Sequence, residues 1–309
     1  MRRKILNKAF ILVFLIVSNV PLLAATQTTS VPVVYAVNYP LQYFAERIAG
    51  ELAEVIFPIP VGEDPAYWTP DEATLLQYQQ ADLILINGAN YAHWLTTISL
   101  PINRLINTSQ DVKDHYIYST DIVTHTHGPG DEHSHNNLAA NVWLDMMLAK
   151  EQAGSIASAF IKLMPEHKES LQQNLQLLLA DLNGLDIALQ NLGKSFVEIP
   201  ILASHPVYQY LSRRYLSNMQ SLYWEPDQMP ELEEWQNMEV ILKQYPARWM
   251  LWEAPPLNET TEGLLKMGVT PVVFYTLSNR PLNGNFISIM KENIKRLKSL
   301  GCLLNCNQN

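Results

Sequence analysis

From residue 31 onwards the spacing of apolar residues changes period again and again. "VPVVYAVNYP" (31–40) is β-branched and aromatic and closes on Pro40, which predicts a strand. In the next stretch Leu41, Phe44, Ile48 and Leu52 recur at helical spacing. "VIFPIPVG" (55–62) predicts a second strand, and Pro70 can open a helix that "DEATLLQYQQA" continues. "DLILING" (82–88) is a short buried strand ending in Gly88. Strands alternating with helices predict an α/β sheet of parallel character.

The period then settles on 3.6. Residues 141–164 predict one helix and 165–193 a second, with Leu171, Leu175, Leu178, Leu179, Leu182 and Leu185 along one stripe. Pro165 fits the first turn, where a missing N–H costs nothing, and Gly193 closes the helix. Such a helix spans about 40 Å, more than one small domain needs. Alternation resumes beyond it. Strands are predicted at 196–204, 248–254 and 270–277, and helices at 206–216, 231–245, 260–268 and 285–300. The expected fold is α/β: two parallel-sheet lobes joined by one long backbone helix, with a ligand cleft between the lobes where strand carboxyl ends face each other. The expected boundaries are residues 26–164 for the first lobe, 165–193 for the helix and 194–309 for the second lobe.

The first 25 residues stand apart. Arg2, Arg3, Lys4 and Lys8 precede an apolar run from Ala9 to Ala24, interrupted by Ser18, Asn19 and Pro21, and Ala24–Ala25 offers a cleavage point. This is the layout of a secretory signal peptide, and the run is shorter than the ~20 residues of a membrane anchor. A periplasmic location is expected. Cleavage there would leave 17 basic against 30 acidic residues, moving the formal charge from −9 to −13. That balance excludes a nucleic-acid partner, which needs Lys and Arg. It suits the attraction of cations. The only cysteines, Cys302 and Cys306, cannot form a four-thiolate zinc site, and a small terminal disulfide between them is compatible with export. In a continuous helix the disulfide would need the last turn to unwind.

One tract carries overt chemistry. "HTHGPGDEHSH" (125–135) places His125, His127, His133 and His135 around a Gly-Pro-Gly break. Short His-rich tracts are compositional signals for metal binding, and Gly and Pro here predict an irregular loop over 124–137. No G-x-S-x-G or H-E-x-x-H motif occurs, so no enzyme is expected. His93, His115 and His167 stand alone in sequence and read as loop or surface residues.

Several blocks in order, "VVYAVNYPLQYFAERIAGE", "GEDPAYWTP", "ADLILINGANYAHWL", "NVWLDMMLAK", "ASHPVYQYLSRRY", "YWEPDQMPELEEW" and "WMLWEAPPLNETT", resemble the solute-binding proteins of zinc and manganese ABC transporters. The resemblance runs from about Val31 to the C-terminus. It implies two lobes on a rigid helix, a monomer, a divalent zinc or manganese ion as ligand and a membrane ABC permease as partner. A His-rich loop before "WLD" is typical of the zinc members. Of the four ligand positions the resemblance implies, only His205 is retained. Ala66 stands at the first, Asn141 at the second, and the fourth falls near Tyr275. Glu253, at a strand end, can offer a carboxylate.

The site residues expected to meet metal are therefore His205, His125, His127, His133 and His135, with Asn141, Glu253, Tyr275 and Ala66 as possible cleft contacts. Two other roles stay open at this level. One is a zinc buffer working through the His-rich loop alone. The other is a cleft repurposed for a non-metal ligand, lined by Tyr67, Trp68, Trp143 and Tyr275.

Overall fold

The computed structural model describes residues 31–118, 124–126, 132–134 and 138–306, with side chains for 31–118 and 138–300. The expected signal peptide (1–25), His127, His135 and the side chains of Cys302 and Cys306 lie outside them. In chain order the first half contains β1 (Val33–Ala36), α1 (Tyr39–Ala49), β2 (Glu54–Ile56), α2 (Glu72–Gln80), β3 (Leu83–Ile86) and β4 (Leu105–Asn107). The four strands form a parallel sheet in the order β2-β1-β3-β4. Asn38 starts α1, its side chain accepting from the Leu41 N–H with Pro40 in the first turn. The His-rich tract is not wholly irregular. β5 (Thr124–Thr126) and β6 (Glu132–Ser134) pair antiparallel across the Gly-Pro-Gly break, with His125 opposite His133.

Two helices follow, α3 (Met146–Leu163) and α4 (Lys168–Gly193). Asp145 caps α3 by accepting from Met147 N and Leu148 N. Pro165 sits in a short 3-10 turn, Pro165–His167, and α4 begins after it. The second half contains β7 (Ile201–Ala203), α5 (Gln209–Tyr215), β8 (Met219–Ser221), α6 (Leu232–Gln244), β9 (Trp249–Trp252), α7 (Asn258–Lys266), β10 (Thr270–Val273) and α8 (Phe286–Cys306). Its parallel sheet runs β10-β9-β7-β8, which reversed is the first sheet's order over again. Among the described residues no helix is long and apolar enough to cross a membrane.

The apolar pattern does not predict β4 and β8. Each is a three-residue edge strand with one paired neighbour, too short to show a period. Nor does α5 start at Pro206; a turn intervenes before Gln209.

A principal core takes in Val34, Phe44 and Ile84 from the first lobe and Ile201, Tyr210, Leu251 and Phe274 from the second. Between them lie Leu171, Leu178, Leu182, Leu185 and Leu189 of α4, all buried. α4 packs on α1 and α3 on one side and on α5 and α8 on the other. A smaller cluster around Trp224, Met238 and Trp252 fills the far face of the second sheet. Polar groups also cross between the lobes. Trp143 Nε1 donates to Thr276 O at 2.7 Å, Asn141 Nδ2 to Val207 O at 3.1 Å and Tyr210 OH to Ala139 O at 3.2 Å.

A buried charge network ties α3, α4 and α5. Arg214 reaches both oxygens of Asp186 at 2.9 Å and Asp145 Oδ1 at 3.2 Å, and Tyr215 OH donates to Asp186 Oδ1 at 2.6 Å. Asp145 and Asp186 are almost wholly enclosed. Replacing Arg214 with Ala leaves two buried carboxylates without their main counter-charge, which costs about 3–5 kcal/mol. Urea unfolding of Arg214→Ala is expected to show that loss, with Arg214→Lys recovering only part because it lacks the two-pronged donor.

Candidate metal centre

The ends of three neighbouring parallel strands converge at one point. β7 and β9 pair Ala203 with Leu251. Continued by two residues, that register sets His205 beside Glu253 on one face, because strand side chains alternate with a period of two. Beyond β8 the chain stays zipped to β7, with Leu222 N donating to Ala203 O and Trp224 N to Ser204 O. This returns Glu225 to His205, whose Nδ1 lies 3.0 Å from Glu225 Oε1. Ligand atoms of His205, Glu225 and Glu253 all fall within 4.8 Å of one another. β7 and β9 flank the point where strand order reverses in the second sheet, the usual place for a ligand in an open parallel sheet.

The same step in the first sheet has a different filling. β1 and β3 pair Ala36 with Leu85, so Asn38 and Asn87 occupy the places that His205 and Glu253 hold in the second sheet. Asn38 Nδ2 donates to Asn87 Oδ1 at 3.3 Å, Asn87 Nδ2 to Ala140 O at 2.9 Å, and Gln152 Nε2 to both Asn87 Oδ1 and Thr108 Oγ1. These neutral amides are engaged with one another and with backbone. The titratable donors cluster in the second lobe.

Burial, then the charges of Asp64 and Glu225, push Glu253 up to about 7, against the opposing pull of His205. Burial alone would lower His205. The hydrogen bond and charge of Glu225, followed by the charges of Glu253 and Asp64, outweigh it and hold the imidazole above its ordinary value. Asp64 comes from the other lobe, on the loop between β2 and α2, so both lobes contribute to the field. Tyr67 is pushed up to about 12 by burial and by Asp64, Glu225 and Glu253, and burial raises Tyr91 and Tyr208 well beyond the usual phenol. The phenols stay neutral while the carboxylates supply negative potential. One imidazole and two carboxylates form a three-donor set that suits a divalent transition ion and leaves further coordination positions open.

His205 and Glu253 are thus brought together. Glu225 was not singled out in the sequence, although it lies in the "YWEP" block just past a strand end, and neither was Asp64. Asn141 spends its carboxamide N–H on Val207 O. Ala66 offers no donor side chain; its N–H binds Asp64 Oδ1 and its carbonyl accepts from His93 N. Tyr275 has its ring beneath the Arg296 guanidinium, 5.2 Å away, and its backbone held by Asn293. Trp143 is fully buried, and Trp68 packs edge-on against Trp94. His93 lies edge-on against Tyr67, with ring centroids 4.9 Å apart. For His125 and His133 the description covers the backbone pairing alone.

Comparison with known proteins places these residues among relatives. A family model described as ZnuA, the periplasmic component A of the zinc-uptake complex, matches residues 34–300. The high-affinity zinc uptake system protein ZnuA of Bacillus subtilis is 24% identical over 278 residues, covering 84% of each chain. The zinc-binding lipoprotein AdcA of Streptococcus pneumoniae is 24% identical over 281 residues, and there the match covers 84% of this chain but 54% of AdcA. The manganese transporter substrate-binding lipoprotein scaA of Streptococcus gordonii is 28% identical over 222 residues, 65% of this chain and 67% of its own. Among solved structures, the Zn(II)-bound ZnuA-like domain of S. pneumoniae AdcA superposes with a TM-score of 0.74 at 20% identity, covering 87% of this chain and 98% of that one. The metal-dependent lipoprotein YcdH of B. subtilis gives 0.73 at 21% identity, covering 87% and 99%. At these identities the superpositions establish the shared fold.

Raised proton affinities at the three-donor group have a measurable consequence. Folded Glu253 holds its proton more tightly than the unfolded chain does, so its contribution to stability is complete below its ordinary value of 4.5 and is lost as pH rises through about 7. His205 acts in the same sense from its ordinary value of 6.5 upward. Calorimetric melting of the metal-free protein is expected to show a midpoint that declines between pH 5 and pH 8, with Glu253→Gln flattening the part below pH 7. Protons compete with a cation for the same donors, so divalent-ion affinity is expected to fall as pH drops below 7.

Proposed function

The chain belongs to the family of periplasmic component A proteins of zinc-uptake complexes, and on that premise we propose that His205, Glu225 and Glu253 hold the ion it carries. The protein is the periplasmic solute-binding component of a zinc- or manganese-type ABC transporter, a transport part without catalysis, with an atypical three-donor site between its lobes. The observation that carries the site assignment is the convergence of one imidazole and two carboxylates at the strand-order reversal of the second sheet.

The donor set favours neither metal outright. Imidazole suits zinc, while carboxylate oxygens also suit manganese, and the relatives include proteins named for each. The ion arrives by diffusion into a negatively charged cleft, displaces the protons held on His205 and Glu253, and is handed on to a membrane ABC permease. The His-rich tract at 125–135 acts as a collecting accessory. His125 and His133 sit directly opposite each other on its hairpin, and a second imidazole pair, His127 and His135, follows in sequence.

Calorimetric titration of chelator-stripped protein with zinc and with manganese separates cleft from loop. A variant lacking residues 124–137 is expected to keep one tight site. His205→Ala is expected to lose more than the 10–100-fold typical of removing a mere outer partner of a ligand. If deleting the loop abolishes binding and His205→Ala leaves it intact, the cleft is not the site.

A further inference from the structure

The strand next to Glu253 leads out of the second lobe and onto the first. β10 pairs with β9 as far as Val273 opposite Trp252, and Phe274 N still donates to Trp252 O at 2.8 Å. The chain that leaves β10 therefore sets out beside the ion site, and it stays irregular from 274 to 285. Leu277 turns it with φ of +61°, a left-handed conformation that residues other than glycine rarely adopt. Four residues of this strap then hold the first lobe. Thr276 O accepts from Trp143 Nε1 at 2.7 Å and Ser278 O from Tyr39 N at 3.0 Å. Asn279 Nδ2 donates to Pro60 O at 2.6 Å and to Glu63 O at 2.7 Å. Arg280 donates to Gln42 Oε1 at 3.1 Å and lies over the Phe57 ring at 4.9 Å.

The hold is reciprocal. Tyr39 is the first residue of α1, and the N–H groups of a first turn have no partner within their own helix. Asn38 serves Leu41, Pro40 has no N–H, and Tyr39 is served by Ser278 from the other lobe. In return Asn279 takes two backbone carbonyls of the loop after β2. Its amide is set for this, since its Oδ1 accepts from Arg280 N. None of these groups belongs to the three-donor cluster. The strap also differs in kind from the leucine seam along α4. Ser278, Asn279 and Arg280 are half-buried, and their grip is hydrogen bonds and one guanidinium–ring contact. Such bonds are exchanged for bonds to water at little net cost, so the strap lets go far more readily than the seam.

We infer that residues 276–280 are a latch across the cleft, and that its release lets the ion in and out. This rests on the ion site proposed above at His205, Glu225 and Glu253. His205 is only 7% exposed, so the ion passes when the rim beside it gives way. Because the latch uses no ion donor, weakening it speeds entry and exit alike and leaves the affinity nearly unchanged.

Two measurements on the full-length protein and its Asn279→Ala variant test this. The first is amide hydrogen exchange resolved to single residues. Each lost hydrogen bond shifts an opening equilibrium about two- to tenfold, so Tyr39 N–H is expected to exchange about tenfold faster in the variant. Val37 N–H, bonded to Leu85 O within the first sheet, is expected to stay as protected as before. The second is stopped-flow zinc binding and release on chelator-stripped protein, where both rates are expected to rise about tenfold and Kd to stay within about threefold. Unchanged exchange at Tyr39, or equal acceleration at Tyr39 and Val37, would overturn the latch. Zinc rates that do not move while Tyr39 is released would overturn its control of the ion. If His205→Ala binds zinc normally, the ion site is at fault and that control falls with it, while Tyr39 exchange still decides the latch. Should Asn279→Ala fail to fold, Asn279→Asp keeps the acceptor for Arg280 N and removes both donors, and the same measurements are made on it.

Discussion

Leu171, Leu178, Leu182, Leu185 and Leu189 are sealed along one stripe of α4, and the side chains that seal them belong to both lobes. Burying a leucine stabilises by about 2 kcal/mol, so any motion that parted the lobes along this stripe would expose several such residues together. The Arg214–Asp186–Asp145 network and the bonds from Trp143, Asn141 and Tyr210 add directional constraint to the same seam. The cleft is built on this base.

Within that frame the two lobes repeat one strand order and put different chemistry at the same step. Asn38 and Asn87 are neutral and engaged with one another, with Gln152 and with the backbone, and this stiffens the first lobe. His205, Glu225 and Glu253 place ionisable groups where burial penalises charge and neighbouring carboxylates repel each other. In the absence of a cation, protons relieve that repulsion. A divalent ion held by the same donors, as proposed, would relieve it further. The tyrosines around the site remain neutral, so they do not add to its negative charge.

Much of the architecture was legible in the chain. The change from strand–helix alternation to a 3.6-residue period over two successive helices, and back, marks two parallel sheets with a long helix between them, because apolar spacing is a local property that each element must satisfy to bury its face. The edge strands β4 and β8 escaped because three residues cannot display a period. His205 was legible as a lone imidazole after a strand. Ala66 and Asn141 already stood where the resemblance implies two imidazoles, and the hydrogen bonds of Ala66 come from its backbone.

The sequence by itself therefore determined the elements, the apolar stripe that joins the lobes and the poverty of the site in histidine. Only the tertiary structure decided which acids meet His205. Parallel strands are joined by crossovers, so residues adjacent at a sheet's carboxyl edge are scattered along the chain. Whether Glu225 or Glu253 faces the cleft depends on pairing register, in which a one-residue slip reverses every side chain. Asp64 comes from the other lobe altogether, and the position of its loop is settled by Asn279 more than two hundred residues later in the chain. No local pattern of residues encodes a contact of that separation.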